Sequence, residues 1–202
     1  MVSVRSQPMT FAEFLEWYPE NGRYELINGC IVEMQPTGKH EEIKAFLNGE
    51  LFLEIRRLKL PYFLPQQALI KAPKSETGYL PDVLIVDKNA LKTEPLWEKA
   101  STITKGESVG LIIEVVSNNW RDDYGHKLVD YEALGISEYW IVDYLALGGR
   151  RYIGSPKQPT ITVYQLIEGE YQWQQFRKNE RIISPAFPEL NLTAEQVFNA
   201  DK

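Results

Sequence analysis

Apolar residues fall every fourth position at Ile43, Leu47, Leu51 and Ile55, and Phe46 and Leu53 widen the stripe. That spacing lines one helical face and predicts a long amphipathic helix from about Lys39 to Leu58, packed on a sheet. Gly49 within it works mildly against helix formation. Elsewhere the pattern is that of strands. Arg23 to Asn28 and Cys30 to Met34 read as a hairpin closed at Asn28-Gly29, since both residue types accept the positive φ of a two-residue turn. Tyr62 to Ala72 (interrupted by Pro65), Leu80 to Val86, Val109 to Val116 and Glu138 to Val142 read as further strands. The third of these is nearly all apolar, the mark of a strand covered on both faces. Lys88 to Ser108 reads as surface loop, and Asp122 to Leu134 as a helix stopped by Gly135. Thr160 to Leu166 and Tyr171 to Phe176 form a second hairpin about Glu168-Gly169. Thr10-Phe11-Ala12-Glu13 and Thr193-Ala194-Glu195-Gln196 have capping-box spacing, which starts a short helix to about Tyr18 and a last short helix.

This order predicts an α/β (α+β) fold with one mixed central β-sheet flanked by helices and preceded by an N-terminal hairpin. It reads as a single domain over residues 1–202, with a core at about 10–166 and a C-terminal hairpin and short helix at 159–200. A chain of 202 residues should bury roughly 70% of its unfolded surface, so neither disulfide nor structural metal is required. With 25% charged and 44% hydrophobic residues, the chain as a whole is neither disordered nor collagen-like nor a coiled coil. Cys30 is the only cysteine and excludes an intramolecular disulfide; it reads as a small, partly buried side chain. There is no apolar run of roughly 20 residues and no secretory h-region, so the expectation is a soluble cytoplasmic protein with no membrane partner.

The chemistry is concentrated in acids placed where acids are costly. Asp82 follows Pro81 at the start of an apolar strand, and Glu114 interrupts Leu111-Ile112-Ile113-Glu114-Val115-Val116. A carboxylate buried in a strand costs several kcal/mol unless it is paired, neutralised or bound to a metal. Two carboxylates on adjacent strands can hold a hard divalent cation, which polarises a phosphoryl oxygen and acidifies a bound water. A positive group is then needed for the developing charge. Lys127, one helical turn beyond Asp123, can reach back over the end of the strand carrying Glu114.

Pro81-Asp82 followed by Glu114-Val115-Val116 resembles the Pro-Asp…(Asp/Glu)-x-Lys nuclease superfamily. More narrowly, the chain resembles the Uma-two family, described as putative restriction endonucleases. The shared pattern includes Tyr24-Glu25-Leu26-Ile27-Asn28-Gly29, His40, Pro81-Asp82-Val83 and Ile113-Glu114-Val115-Val116-Ser117. It continues through Asp123, Lys127 and Tyr131 to Gly135 and Glu138-Tyr139-Trp140-Ile141-Val142-Asp143. The resemblance implies a restriction-endonuclease-like core that hydrolyses DNA phosphodiesters with Mg²⁺ or Mn²⁺. Asp82 and Glu114, with the Val115 carbonyl, would hold the cation. Lys127 would orient or help deprotonate the attacking water and steady the developing charge, and Glu25 would be an accessory acid. The superfamily's usual lysine position is occupied by Val116, and Lys127 in the following helix takes its place in this reading. His40 and Arg121 are substrate-contact candidates, and a homodimer suits the cutting of both strands of a duplex.

Plainer readings stand beside these. Asp82 is also a cap at a strand start, Glu114 a partner of some lysine or arginine, and Glu25 a solvent-facing acid on an alternating strand. Asp123 and Lys127 are also an exposed helical ion pair worth about 0.3–0.5 kcal/mol. His40 is also a satisfied helix-start residue, and Trp120 beside Arg121 is also a ring packed on the sheet edge. The net charge of −6 opposes bulk attraction to nucleic acid. The alternatives are therefore a catalytically silent module of the same fold that binds DNA or protein, and an assembly protein using Tyr164, Tyr171, Trp173 and Phe176 of the C-terminal hairpin as an aromatic face.

Overall fold

The structure is a computed structural model, which describes residues 8–35 and 37–200. Helix α1, Phe11–Trp17, begins with the expected capping box, in which Thr10 Oγ1 accepts from the Glu13 N–H and the Glu13 carboxylate accepts from the Thr10 N–H. Strands β1, Tyr24–Ile27, and β2, Cys30–Glu33, form the N-terminal hairpin. Asn28 and Gly29 at its turn have φ of 50° and 80°, as the sequence requires. Cys30 faces solvent rather than being partly buried. Helix α2 runs over Gly38–Leu58 and buries Ile43, Leu47, Leu51 and Ile55. Leu53 does not join that stripe: it is 62% exposed, because its position turns it to the outer face.

Strands β3, Tyr62–Phe63, and β4, Leu69–Lys71, replace the single strand expected about Pro65. They belong to different sheets, the Pro65 region being the crossing between them. Strand β5 is Gly78–Tyr79 and β6 is Val83–Asp87. The stretch expected as surface loop instead carries helix α3, Trp97–Ala100, and strand β7, Thr102–Ile103, whose residues are buried. Strand β8 is Val109–Val115, fully buried along its length. A π-helical segment, Asp122–Lys127, leads into helix α4, Leu128–Leu134, where Gly135 at φ 84° ends the helix. Strand β9 is Glu138–Asp143, α5 is Arg150–Ile153, β10 is Thr160–Ile167, β11 is Glu170–Phe176 and α6 is Ala194–Phe198.

The expected mixed sheet is six-stranded in the order β11-β10-β9-β8-β6-β3, antiparallel except for the β8–β9 pair. The hairpin extends into a second sheet of five strands, β2-β1-β5-β4-β7. Alternation along β6 and β8 assigns the faces. Val83, Ile85, Leu111, Ile113 and Val115 pack with the buried stripe of α2. Leu84, Val86 and Ile112 face the other way, into a core with Ile70 and Tyr79 of the second sheet and Tyr131 of α4. Glu114 has the parity of Ile112, so it points into this second layer. The register pairing Val83 with Ile113 brings Asp82, one residue outward, beside Glu114. Among the described residues no helix is long and apolar enough to cross a membrane.

The end of α4 is held against the loop before β8 by Gly106. A Cβ there would run into the Leu134 carbonyl oxygen and come within 2.6 Å of the Gly135 carbonyl carbon, both backbone atoms with little freedom to move. Gly106→Ala should therefore lower stability by about 1–3 kcal/mol, as overpacking does, visible as a lower urea midpoint at unchanged m. An unchanged midpoint would mean that this loop does not brace the helix.

Candidate active site

Five charged side chains from four places in the chain meet between the two sheets. Glu25 comes from β1, Asp82 from the entry to β6, Glu114 from β8, and Asp123 and Lys127 from the π-helical segment. The Lys127 side chain is 2% exposed, and its Nζ lies 3.0 Å from Glu114 Oε2, 3.4 Å from Glu25 Oε1 and 3.5 Å from Asp123 Oδ1. The exposed helical pair is thus excluded: Asp123 and Lys127 are buried and share their contact with two acids from other elements. Glu25, in turn, is not a solvent-facing residue of β1. Its Oε1 accepts the Leu80 N–H at 3.0 Å, tying the hairpin to the segment that leads into Asp82.

Asp82 is held from two sides. Its Oδ2 accepts the Val115 N–H at 2.9 Å and lies 3.0 Å from His40 Nε2 at the start of α2. A carboxylate only accepts, so Nε2 carries the proton. Among the described residues Asp82 Oδ1 takes no hydrogen bond. Asp82 and His40 are the most exposed members of the group, with side chains 12% and 7% accessible, so the cluster meets solvent along this edge. Glu114 is anchored through Oε1, which accepts the Tyr131 hydroxyl at 2.9 Å. Tyr139 donates to the Asp123 carbonyl at 3.1 Å, and the ring of Tyr79 lies 5.8 Å from Lys127 Nζ. Tyr79 thus lines the cluster from the second sheet, Tyr131 from α4 and Tyr139 from β9.

Four carboxylates face one lysine ammonium, and the proton affinities show the imbalance. Burial works against the Lys127 charge, but Glu114, Glu25 and Asp123 override it and hold the amine well above the usual lysine range. Burial raises Glu114 well above the usual carboxylate range; Lys127 opposes this, and the neighbouring acids Asp82, Asp123 and Glu25 add to it. Burial likewise pushes Asp123 up to about 7, against the pull of Lys127. Asp82 goes the other way. Burial would raise it, but His40, Lys127 and the Val115 N–H together hold it below the usual value.

The family model described as "Putative restriction endonuclease", Uma2, matches residues 11–195. The chain belongs to the Uma2 family. A solved crystal structure of a putative nuclease belonging to DUF820, from Anabaena variabilis ATCC 29413, matches with a TM-score of 0.70 at 20% identity, over 96% of this chain and 99% of that one. At that identity the likeness speaks for the fold, which is restriction-endonuclease-like. Among curated proteins none matches.

For a Uma2 chain whose second acid is followed by Val-Val rather than by a lysine two residues on, the placement of Lys127 matters most. Val116 is buried in the second layer, and the positive charge arrives at Glu114 from the next helical segment. The π-helical turn that delivers it is a wider, rarer form of helix, frequent at functional sites. Of the sequence-predicted residues, Asp82, Glu114, Lys127 and Glu25 converge, and His40 joins them through Asp82. The Val115 backbone is drawn in through its N–H to Asp82. Arg121 stands apart, exposed, with its guanidinium 4.6 Å from the Trp120 ring. Asp123 as a member of the acid cluster was missed by sequence reasoning, although its spacing from Lys127 carried the signal. Tyr79 and Asp130, bonded at 2.6 Å, left none. A groove of about 790 Å³ lined by Asn48, Arg56, Lys59, Tyr62 and Lys88 shares no residue with the cluster.

Proposed function

We propose that this chain is a divalent-metal-dependent endonuclease that hydrolyses DNA phosphodiester bonds. The observation that carries the reading is the Lys127 ammonium, buried 3.0 Å from Glu114, in a chain whose motif lacks the usual lysine. The donor set suits a hard cation such as Mg²⁺ or Mn²⁺. Asp82 has an oxygen to spare, Glu114 is adjacent, and four acids against one lysine leave a buried excess of negative charge that either protons or a divalent ion must offset. Among the described residues no group of three or more His, Cys, Asp and Glu side chains is already gathered as a cation site, so the reading needs the Val115 carbonyl or waters to complete the sphere. Asp82 and Glu114 would hold the ion, which when bound supplies Lewis-acid polarisation and an acidified water.

The remaining work falls to the chain's own groups. Lys127, held well above its usual range, keeps its proton at working pH. It serves by orienting the water and stabilising developing phosphoryl charge, not by deprotonating anything. Glu25 fixes Lys127 from the β1 side, and Tyr131 fixes Glu114. A homodimer would place two such sites on a duplex, and the exposed thiol of Cys30 suits a reducing compartment such as the cytoplasm.

The purified protein should nick supercoiled plasmid with Mg²⁺ or Mn²⁺ and stop on addition of EDTA. Asp82→Asn and Glu114→Gln should each reduce nicking at least a hundredfold while folding normally. Undiminished cutting by Glu114→Gln would refute the assignment. A second reading, a non-catalytic module binding DNA or protein, is favoured by how deeply Glu114 and Lys127 are buried, each side chain 2% exposed. It predicts DNA retention with no metal-dependent nicking. The four aromatics of the C-terminal hairpin give the assembly reading less: Tyr164 and Phe176 are buried, and only Trp173 is strongly exposed.

A further inference from the structure

Beside the acid cluster lies a surface of the opposite character. Between Asp143 and Glu168 the chain has no acidic residue, while Arg150, Arg151 and Lys157 fall within it, in a protein of net charge −6. All three are exposed, as is Arg121. Among the described residues, none of these three arginines forms an ion pair. Two of them are instead laid on rings: Arg121 lies 4.6 Å from the Trp120 ring and Arg151 4.4 Å from the Tyr152 ring. The rings are joined in turn, Tyr124 stacking on Tyr152 at 4.6 Å and Trp120 meeting both at 6.3 Å.

The scaffold beneath is tightly specified. Buried Asp143, at the end of β9, accepts the Leu147 and Gly148 N–H groups at 2.9 and 2.7 Å and so shapes the loop into α5. A Cβ on Gly148 would come within 2.9 Å of the Asp143 carboxylate and 3.0 Å of the Tyr124 ring, and one on Gly149 within 3.3 Å of Trp120. Gly148 thus leaves no room for a side chain against Asp143 and Tyr124, and Gly149 sits in close contact with the Trp120 and Tyr152 rings. The surface also has a fixed relation to the cluster. Arg121 immediately precedes the segment that carries Asp123 and Lys127, and Tyr124 is the next residue after Asp123. Both lie at the carboxyl ends of the parallel strands β8 and β9, the end at which Glu114 sits.

We propose that Arg121 on Trp120 and Arg151 on Tyr152 form a phosphate clamp that grips the DNA backbone next to the scissile position. Arg121, stacked on its ring, keeps its planar N–H edge open for bidentate phosphate bonds, while Arg151 donates from Nη2 to the Tyr152 hydroxyl and offers its remaining N–H groups. In both, the contact with the ring removes freedom that binding would otherwise have to remove. The clamp supplies locally the positive field that the whole chain lacks. It rests on the nuclease reading and names how that site receives its substrate.

The test is binding of a labelled DNA duplex in EDTA as a function of salt. Each phosphate contact steepens the log–log salt dependence by about 0.9. Arg121→Gln with Arg151→Gln should flatten the slope by about 1.8 and weaken binding at least tenfold. Arg151→Gln alone should give about half that change in slope, and Arg56→Gln at the far end of α2 none. Melting curves check that the variants fold. An unchanged slope in the double variant, with wild-type protein binding and cutting normally, overturns the clamp and leaves the nuclease reading standing. Displacement by polyglutamate as efficient as by DNA of equal charge overturns it too, since the surface would then be a general anion patch. Wild-type protein that neither binds nor cuts DNA overturns both.

Discussion

Lys127→Met should lose a large part of its stability at pH 8 and regain much of it at pH 5. The side chain is buried and its ammonium is the common partner of Glu114, Glu25 and Asp123. Removing one member of a buried ionic group commonly costs about 3–5 kcal/mol, because the charges left behind are uncompensated. That is a large part of the roughly 5–15 kcal/mol by which a domain of this kind is stable. The sign with pH follows from the direction of the shifts. Asp123 is already raised to about 7, and Glu114 is well above its usual value, with Lys127 opposing both shifts. Without Lys127 they rise further. A carboxyl raised in the folded state binds its proton more tightly there than when unfolded, so its contribution is fully present at low pH and is lost as pH rises through the folded value. Urea midpoints of wild type and variant at the two pH values give the comparison. Equal losses at both would mean that the lysine does not neutralise these acids, and no loss would mean that the cluster is open to water. Nicking activity should be absent from the variant at either pH.

What the sequence disclosed of this site, and what it hid, follows from the range of each interaction. Asn28-Gly29 and the two capping boxes act within four residues, and each appears in the structure with the expected geometry. The helix stripe of α2 was legible because Ile43, Leu47, Leu51 and Ile55 repeat over three turns, while Leu53 misled because apolarity alone does not tell a stripe from an isolated exposed side chain. Glu114 stood out because its strand is otherwise apolar. The second sheet did not, since β5 and β7 are two residues each and too short to carry a period. Residues 42 apart, such as His40 and Asp82, leave no local trace of their meeting. The π-helical turn is likewise silent, because a segment read as helix from its polarity has no mark for a wider winding. Lys127 was legible from its nearness to the strand carrying Glu114, the family resemblance tied it to the usual lysine position that Val116 occupies, and in the structure its Nζ lies 3.0 Å from Glu114.

Mn²⁺ should raise the melting temperature of the wild-type protein at pH 8 and do so far less at pH 5.5. Glu25, Glu114 and Asp123 converge on one lysine with Asp82 beside Glu114, and the excess of carboxylates is relieved either by protons or by a divalent cation. These two compete for the same oxygens, so metal affinity falls as the acids protonate. Glu114 and Asp123 titrate high, Asp123 at about 7, so at pH 5.5 the protons hold most of the site. Asp82, held below its usual value by His40, stays ionised and cannot bind the ion alone at useful strength. A ligand that binds only the folded protein at a hundredfold excess over Kd stabilises it by about 2.7 kcal/mol. For a chain of this size that is a shift of roughly 5–10 °C. Glu114→Gln should abolish the shift at both pH values, because the amide keeps the Tyr131 bond within reach but withdraws the charge that binds the cation. A shift of equal size in Glu114→Gln, or one independent of pH in the wild type, would move the cation away from these carboxylates and with it the catalytic role assigned to them.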